Sequence, residues 1–282
     1  MLGRPATETQ VSHARRLWIY VLAGLTLFFL VAPTLVIVPL SFSNSRYLTF
    51  PPPGWSLRWY DAYLSSLEWR EATIVSFSAA TLTMFAATLF GTLAAYSLHT
   101  SPGRRMQALY ALFLVPMIVP AILIGVGTFI LYAQLGLNNT LLGIVVAHTA
   151  MAIPLVVITV SSGLRSYEMS QEMVARSLGA SRLWAFLTVT LPQIRVSVVS
   201  AALLAFITSL DEVVISLFIA GGDYATLTKR MFNALRDEID PTIAAISTIL
   251  IGCSVALMVL SQTAHAPRLR GRQPAPPPTE AA

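Results

Sequence analysis

Charge along this chain is confined to short blocks. Between Arg16 and Arg46 lie 29 residues without Asp, Glu, Lys or Arg; Glu71 and Arg104 bracket 32, Arg105 and Arg165 bracket 59, and Asp240 and Arg268 bracket 27. A helix needs about 20 apolar residues, rising about 1.5 Å each, to cross the hydrocarbon of a bilayer. The first, second and last runs each predict one crossing. The longest predicts two, with the polar "LGLNNT" (Leu135 to Thr140) as the turn between them. A further crossing is predicted between about Ile194 and Ala220, interrupted by Asp211 and Glu212. The pattern therefore predicts an all-α integral membrane protein with six transmembrane helices.

Composition agrees. Hydrophobic residues make up 55% of the 282, charged residues 11%, and the mean hydropathy is +0.70. A soluble domain carries about 25% charged residues, so this chain cannot cover a globule with polar surface. The first run follows Arg15 and Arg16 as a signal peptide would. It stays apolar to about Leu40, however, well beyond the roughly 7–15 residues of a signal core, and is read as a retained helix. With six crossings and a cytoplasmic N-terminus, 12 of the 18 basic residues fall inside and 6 outside, as the positive-inside bias requires. Both termini are then cytoplasmic. The pI near 9.7 follows from this bias and does not argue for nucleic acid. The solitary Cys253 excludes a disulfide framework.

Residues 1–16 read as a mobile cytoplasmic arm, residues 17–264 as the membrane domain, and residues 265–282, basic and then Pro-rich, as a disordered cytoplasmic tail. The external "PPPGWSLRWYDAYLSSLEW" opens on a proline turn. Leu57, Tyr60, Leu64 and Leu67 follow at near-helical spacing, which predicts an interfacial helix with Trp and Tyr at the membrane surface. Pro116, Pro120 and Pro154 lie inside predicted crossings and should kink them.

One cytoplasmic stretch stands apart: "EMVARSLGASRLWAFLTVTLPQIR", residues 172–195. Ser166 can cap a helix reaching about Leu178, with Gly179 supplying a left-handed end; Ser181 can cap a second, which ends before Pro192. Two short helices meeting at a glycine elbow are predicted, in a loop of about residues 163–194. Met169, Met173, Val174 and Leu178 give the first an apolar stripe that Leu183, Trp184 and Leu187 extend. Such a stripe suits insertion into a groove on a partner, and equally a loop folded back on its own helix ends.

This segment resembles the cytoplasmic loop of permease subunits of binding-protein-dependent ABC importers. The family pattern is Glu-Ala-Ala, three residues, Gly, nine residues, Ile, one residue, Leu-Pro. Ala175, Gly179, Val189 (for Ile), Leu191 and Pro192 stand in register, with Ala180 following the glycine; the family's Glu and first Ala fall on Met173 and Val174. Glu172 lies one position early, and the sequence leaves open whether it serves instead. The resemblance, which spans roughly Trp59 to Ile251, implies a type I ABC importer permease bundle whose elbow is a coupling helix. It implies two copies of a separate ATPase subunit, a second homologous permease and an extracytoplasmic solute-binding protein as partners, beside membrane lipid. "SLDEVVISLFIAGGDYATLTKRMFNALRDEIDPTIAAISTIL" is most similar to the permeases that handle spermidine and putrescine; relatives handle thiamine, ferric iron and phosphonates. No cofactor is implied. The single lysine, Lys229, lies in "ATLTKRMF" without a phosphate loop, so ATP hydrolysis is expected on another chain.

Asp211 and Glu212 fall about halfway through the fifth predicted crossing, where a carboxylate costs on the order of 2.5–3.5 kcal/mol by insertion scales. Such groups line a pathway or bridge helices or subunits, and both readings stay open for Asp211; about 100° apart on a helix, the two carboxylates do not share one pathway. An acidic path would suit a polyamine's ammonium groups. His148 is a further pathway candidate, with a hydrogen-bonded interior histidine as its alternative. No metal spacing emerges from the four histidines. An ion-driven secondary transporter would use the same carboxylates but leave the elbow unexplained, and a membrane enzyme lacks a nucleophile–base set.

Overall fold

In a computed structural model the described residues are 17–101, 103–237 and 239–265. The arm at residues 1–16 and the tail from residue 266 lie outside them. Among the described residues the chain is helical apart from its connections and one isolated bridge, Ser43 to Trp55.

Helix α1 (Leu17–Ser41) packs on the last helix, α13 (Thr242–His265). After a loop, α2 (Arg58–Ser65) leads through the capping Ser66 into α3 (Leu67–Thr100). Leu57, Leu64 and Leu67 are exposed, and the inward contact is Tyr63, whose hydroxyl meets Thr73 Oγ1 at 2.7 Å. Helices α4 (Arg104–Ile118) and α5 (Ala121–Leu135) come next, and Gly136 (φ 68°) and Asn139 (φ 56°) then make the predicted turn into α6 (Leu141–Arg165).

The core is a three-helix seam of α3, α6 and α10 (Arg195–Asp211). Its contact residues are small. On α3, Ala79, Thr83, Ala87, Gly91 and Ala95 recur every fourth position and are buried. A Cβ on Gly91 would stand 2.6 Å from Cγ1 of Val156 on α6, so that backbone approach requires glycine. In lipid, where hydrophobic burial drives little helix association, such close packing supplies the attraction.

Helices α1, α3 and α6 are each long and apolar enough to cross a membrane alone. Two bent pairs reach that length and hydropathy only when each is taken together: α4 with α5, and Arg182–Gln193 with α10. Pro120 forces Val119 into extended backbone (ψ 131°), and α4 and α5 meet at 98° rather than at a kink. Each has 15 residues, about 22 Å of helix, too short to span alone. Pro154, by contrast, lies inside an unbroken α6. The predicted crossing from Ile194 to Ala220 is likewise not continuous: α10 stops at Asp211 and α11 (Val214–Ile219) begins after a break. An amphipathic helix, α12 (Leu227–Asp237), precedes α13.

Candidate functional site

The elbow comprises α7 (Ser170–Ser177), α8 (Arg182–Ala185), a π turn at Phe186–Thr190 and α9 (Leu191–Gln193). Ser166 does not open the first helix; it closes α6, its amide donating to the Gly163 carbonyl, and α7 starts at Ser170. The far end is as expected. Gly179 (φ 97°) donates to Arg176 O at 3.0 Å and Ala180 to Ala175 O at 3.1 Å, the paired closure that a left-handed residue permits. Ala175, Gly179 and Ala180 are thus joined by backbone geometry. Ser181 caps α8, accepting from the Trp184 amide. Pro192 does not stop the helix. The preceding π turn, in which Leu191 N–H donates to Phe186 O, widens the spiral enough for the ring, and the chain turns at Ile194, where α8–α9 and α10 meet at 81°. Met173, Val174, Leu178, Leu183, Trp184 and Leu187 are exposed, Leu178 at 85%, while Met169 packs inward. Leu191 packs against the core beside Phe186 and Ile194.

Glu172 is 1% exposed. Its Oε1 accepts from the Tyr96 hydroxyl at 2.5 Å, and its Oε2 accepts from the Thr190 hydroxyl. Arg182 lies over the Tyr96 ring, 5.3 Å from its centroid, and donates to the Tyr96 hydroxyl at 3.4 Å and to Thr100 Oγ1 at 2.5 Å. An isolated buried carboxylate costs several kcal/mol; two charge-assisted bonds of about 1.5–3 kcal/mol each offset that cost. Sequence reasoning missed Tyr96, Thr190 and Arg182, since nothing local joins Tyr96 to a residue 76 positions later.

The second set lies where α10 breaks. Asp211 ends α10, exposed, with no hydrogen bond or ion pair among the described residues. Glu212 follows in extended backbone, and its Oε1 accepts from the Ile215 amide at 2.8 Å in the first turn of α11. The expectation that two adjacent helical positions diverge by about 100° is replaced by a break that separates them. His148 on α6, 1% exposed, spans this break, with Nδ1 2.8 Å from Ser209 Oγ on α10 and Nε2 3.2 Å from Ser216 Oγ on α11. Both ring nitrogens are engaged within the protein. Ser209 belongs to the "SLDE" stretch, a signal that was present but unread. On α12, Thr228 donates to Glu212 O and Lys229 Nζ to Leu217 O (3.0 Å) and Ala220 O, so α12 holds α11 at both ends. Among the described residues no three of His, Cys, Asp and Glu converge to hold a metal.

A bent helical bundle with a capped elbow is an architecture that known proteins share. A family model described as "Binding-protein-dependent transport system inner membrane component" matches residues 87–271. The chain belongs to this family. Relatives of this inner-membrane component include the "Spermidine/putrescine transport system permease protein PotC" of Haemophilus influenzae, 32% identical over 83% of this chain and 91% of that protein. The "Putrescine transport system permease protein PotI" of Escherichia coli K12 is 33% identical, covering 83% and 86%. The "Molybdenum transport system permease protein ModB" of Mycobacterium bovis is 29% identical, covering 76% and 85%. The same fold occurs in a bacterial ABC transporter that imports the acidic polysaccharide alginate, at TM-score 0.65 and 17% identity, covering 92% of this chain and 98% of that one.

Proposed function

We propose that this chain is one of two permease subunits of an ATP-driven importer that carries a polyamine, spermidine or putrescine, across the inner membrane. The observation that carries the substrate class is the 32–33% identity to polyamine permeases over more than four fifths of the chain. Six crossings with both termini cytoplasmic accord with the basic-residue bias. The elbow would dock in a cleft of the ATPase through its exposed apolar stripe, and two ATPase copies, a second permease and a solute-binding protein would complete the assembly. Asp211, exposed at the end of α10, would meet the ammonium groups of the solute. Glu212 and His148 would hold the break in shape, their polar atoms being used internally.

The test is uptake of labelled putrescine and spermidine by cells lacking this chain, complemented with wild type or Asp211→Asn. Restoration by wild type and not by the variant, at equal membrane levels, supports both the polyamine reading and the role of Asp211. Restoration by both removes Asp211 from the pathway. No restoration by wild type overturns the cargo and turns the search to the thiamine, ferric iron, phosphonate and molybdenum of related systems.

A further inference from the structure

The cluster around Glu172 joins elements that are remote in the chain. Tyr96 comes from the cytoplasmic end of α3, Glu172 from α7, Arg182 from α8, and Thr190 from the last position of the π turn. We infer that Glu172 is a positioning residue, the joint through which movement of the elbow reaches α3 and the corner of α10, and not a contact for the ATPase. This rests on the importer reading above.

Accessibility is the first ground. At 1% exposure the carboxylate is beyond a docked partner's reach, whereas Met173, at the family's Glu position, is 58% exposed. The acidic group therefore stands on the inward side of α7. The second ground is stiffness. Each carboxylate oxygen is held by a hydroxyl from a different element, and short charge-assisted bonds stretch poorly. A push on α7 thus carries α3 and the π turn with it. The third is leverage. Thr190 leads through only Leu191, Pro192 and Gln193 to Ile194, the 81° corner from which α10 rises toward Asp211. The ring of Phe186, 4.6 Å from that of Tyr96, backs the joint with packing.

Tyr96→Phe and Thr190→Val each delete one hydroxyl at nearly constant volume. The assay uses proteoliposomes holding the full complex with its binding protein, labelled putrescine and ATP. Both variants should keep the ATPase bound and hydrolysing, while putrescine moved per ATP falls about tenfold, the worth of one charge-assisted bond. Glu172→Gln, whose amide can accept from Tyr96 and donate to Thr190, should retain more coupling than Glu172→Ala. An unchanged putrescine-to-ATP ratio in both hydroxyl variants overturns the joint. So does loss of the ATPase from the complex, because the cluster would then shape the docking face instead. A wild-type complex without ATP-dependent uptake would sink the importer reading itself, a result distinct from wild type and variants that are equally coupled.

Discussion

The elbow and the break in α10 each contain a carboxylate withdrawn from water, and they satisfy it in opposite ways. Glu172 is held by hydroxyls 76 and 18 positions away in sequence, so its bonds tie distant elements together. Glu212 accepts from an amide three positions ahead, so its bond shapes only the local chain. A long-range partner makes a carboxylate a tertiary fastener; a local one makes it a helix start. The second arrangement engages Glu212 with its own helix start, while Asp211 has no hydrogen bond or ion pair among the described residues. The elbow is therefore tied to distant elements, and the break holds its own local shape beside one exposed charge.

The comparison is broken most severely at Gly179. Its Cβ direction is open, so a side chain there meets no clash, but a non-glycine residue at φ 97° carries strain of about 1–3 kcal/mol. Gly179→Asp should reduce uptake to background while the chain remains in the membrane, as a transport assay paired with membrane immunoblots would show; normal uptake would refute the elbow's role. At the break the expected effects are smaller and fall on stability. Glu212→Ala should cost about 0.5–2 kcal/mol, as loss of a helix-start acceptor does, and lower the melting temperature, with Glu212→Gln closer to wild type. His148→Ala removes ties to both half-helices and should cost more than Glu212→Ala; the reverse order in detergent melts would mean the histidine is not the staple. The smallest effect concerns Lys229. Burial pushes its ammonium below the ordinary lysine range, so across the window between folded and ordinary values the unfolded chain binds the extra proton. Wild-type stability relative to Lys229→Met should therefore rise with pH, measured between about pH 8 and pH 10. A falling difference would show that the neutral amine cannot hold the end of α11.

What the sequence made legible was local or periodic. The charge-free runs located the three helices long and apolar enough to cross alone, and Gly179, Ser181 and the Leu135–Thr140 turn are where their φ requirements and capping chemistry place them. What it hid depended on partners or on geometry that no single residue type encodes. Glu172 lies between a serine-rich helix start and an exposed stripe, and its burial becomes visible only once α3 is laid beside it. Pro192 read as a terminator because an α-helix rejects its ring; a π turn accepts it, and no composition announces a π turn. The carboxylate pair read as two faces of one helix, although an acidic residue three positions before Ile215 in an apolar run is also a helix-start signal. Pro120 was expected to kink and instead produced a corner, because its effect on Val119 breaks the helix outright.

The stripe of Ala79, Thr83, Ala87, Gly91 and Ala95 has a consequence for how this protein tolerates mutation. In saturation mutagenesis α3 should read as two sequences interleaved. At every fourth position only Gly, Ala, Ser or Thr would survive selection, and at Gly91 only glycine. On the opposite side Ile74, Leu82, Phe85, Leu89 and Phe90 face outward, where one apolar side chain replaces another freely. Drift would thus scramble the bulky residues and spare the small ones, so that the most durable record of this helix's ancestry lies in its least distinctive letters.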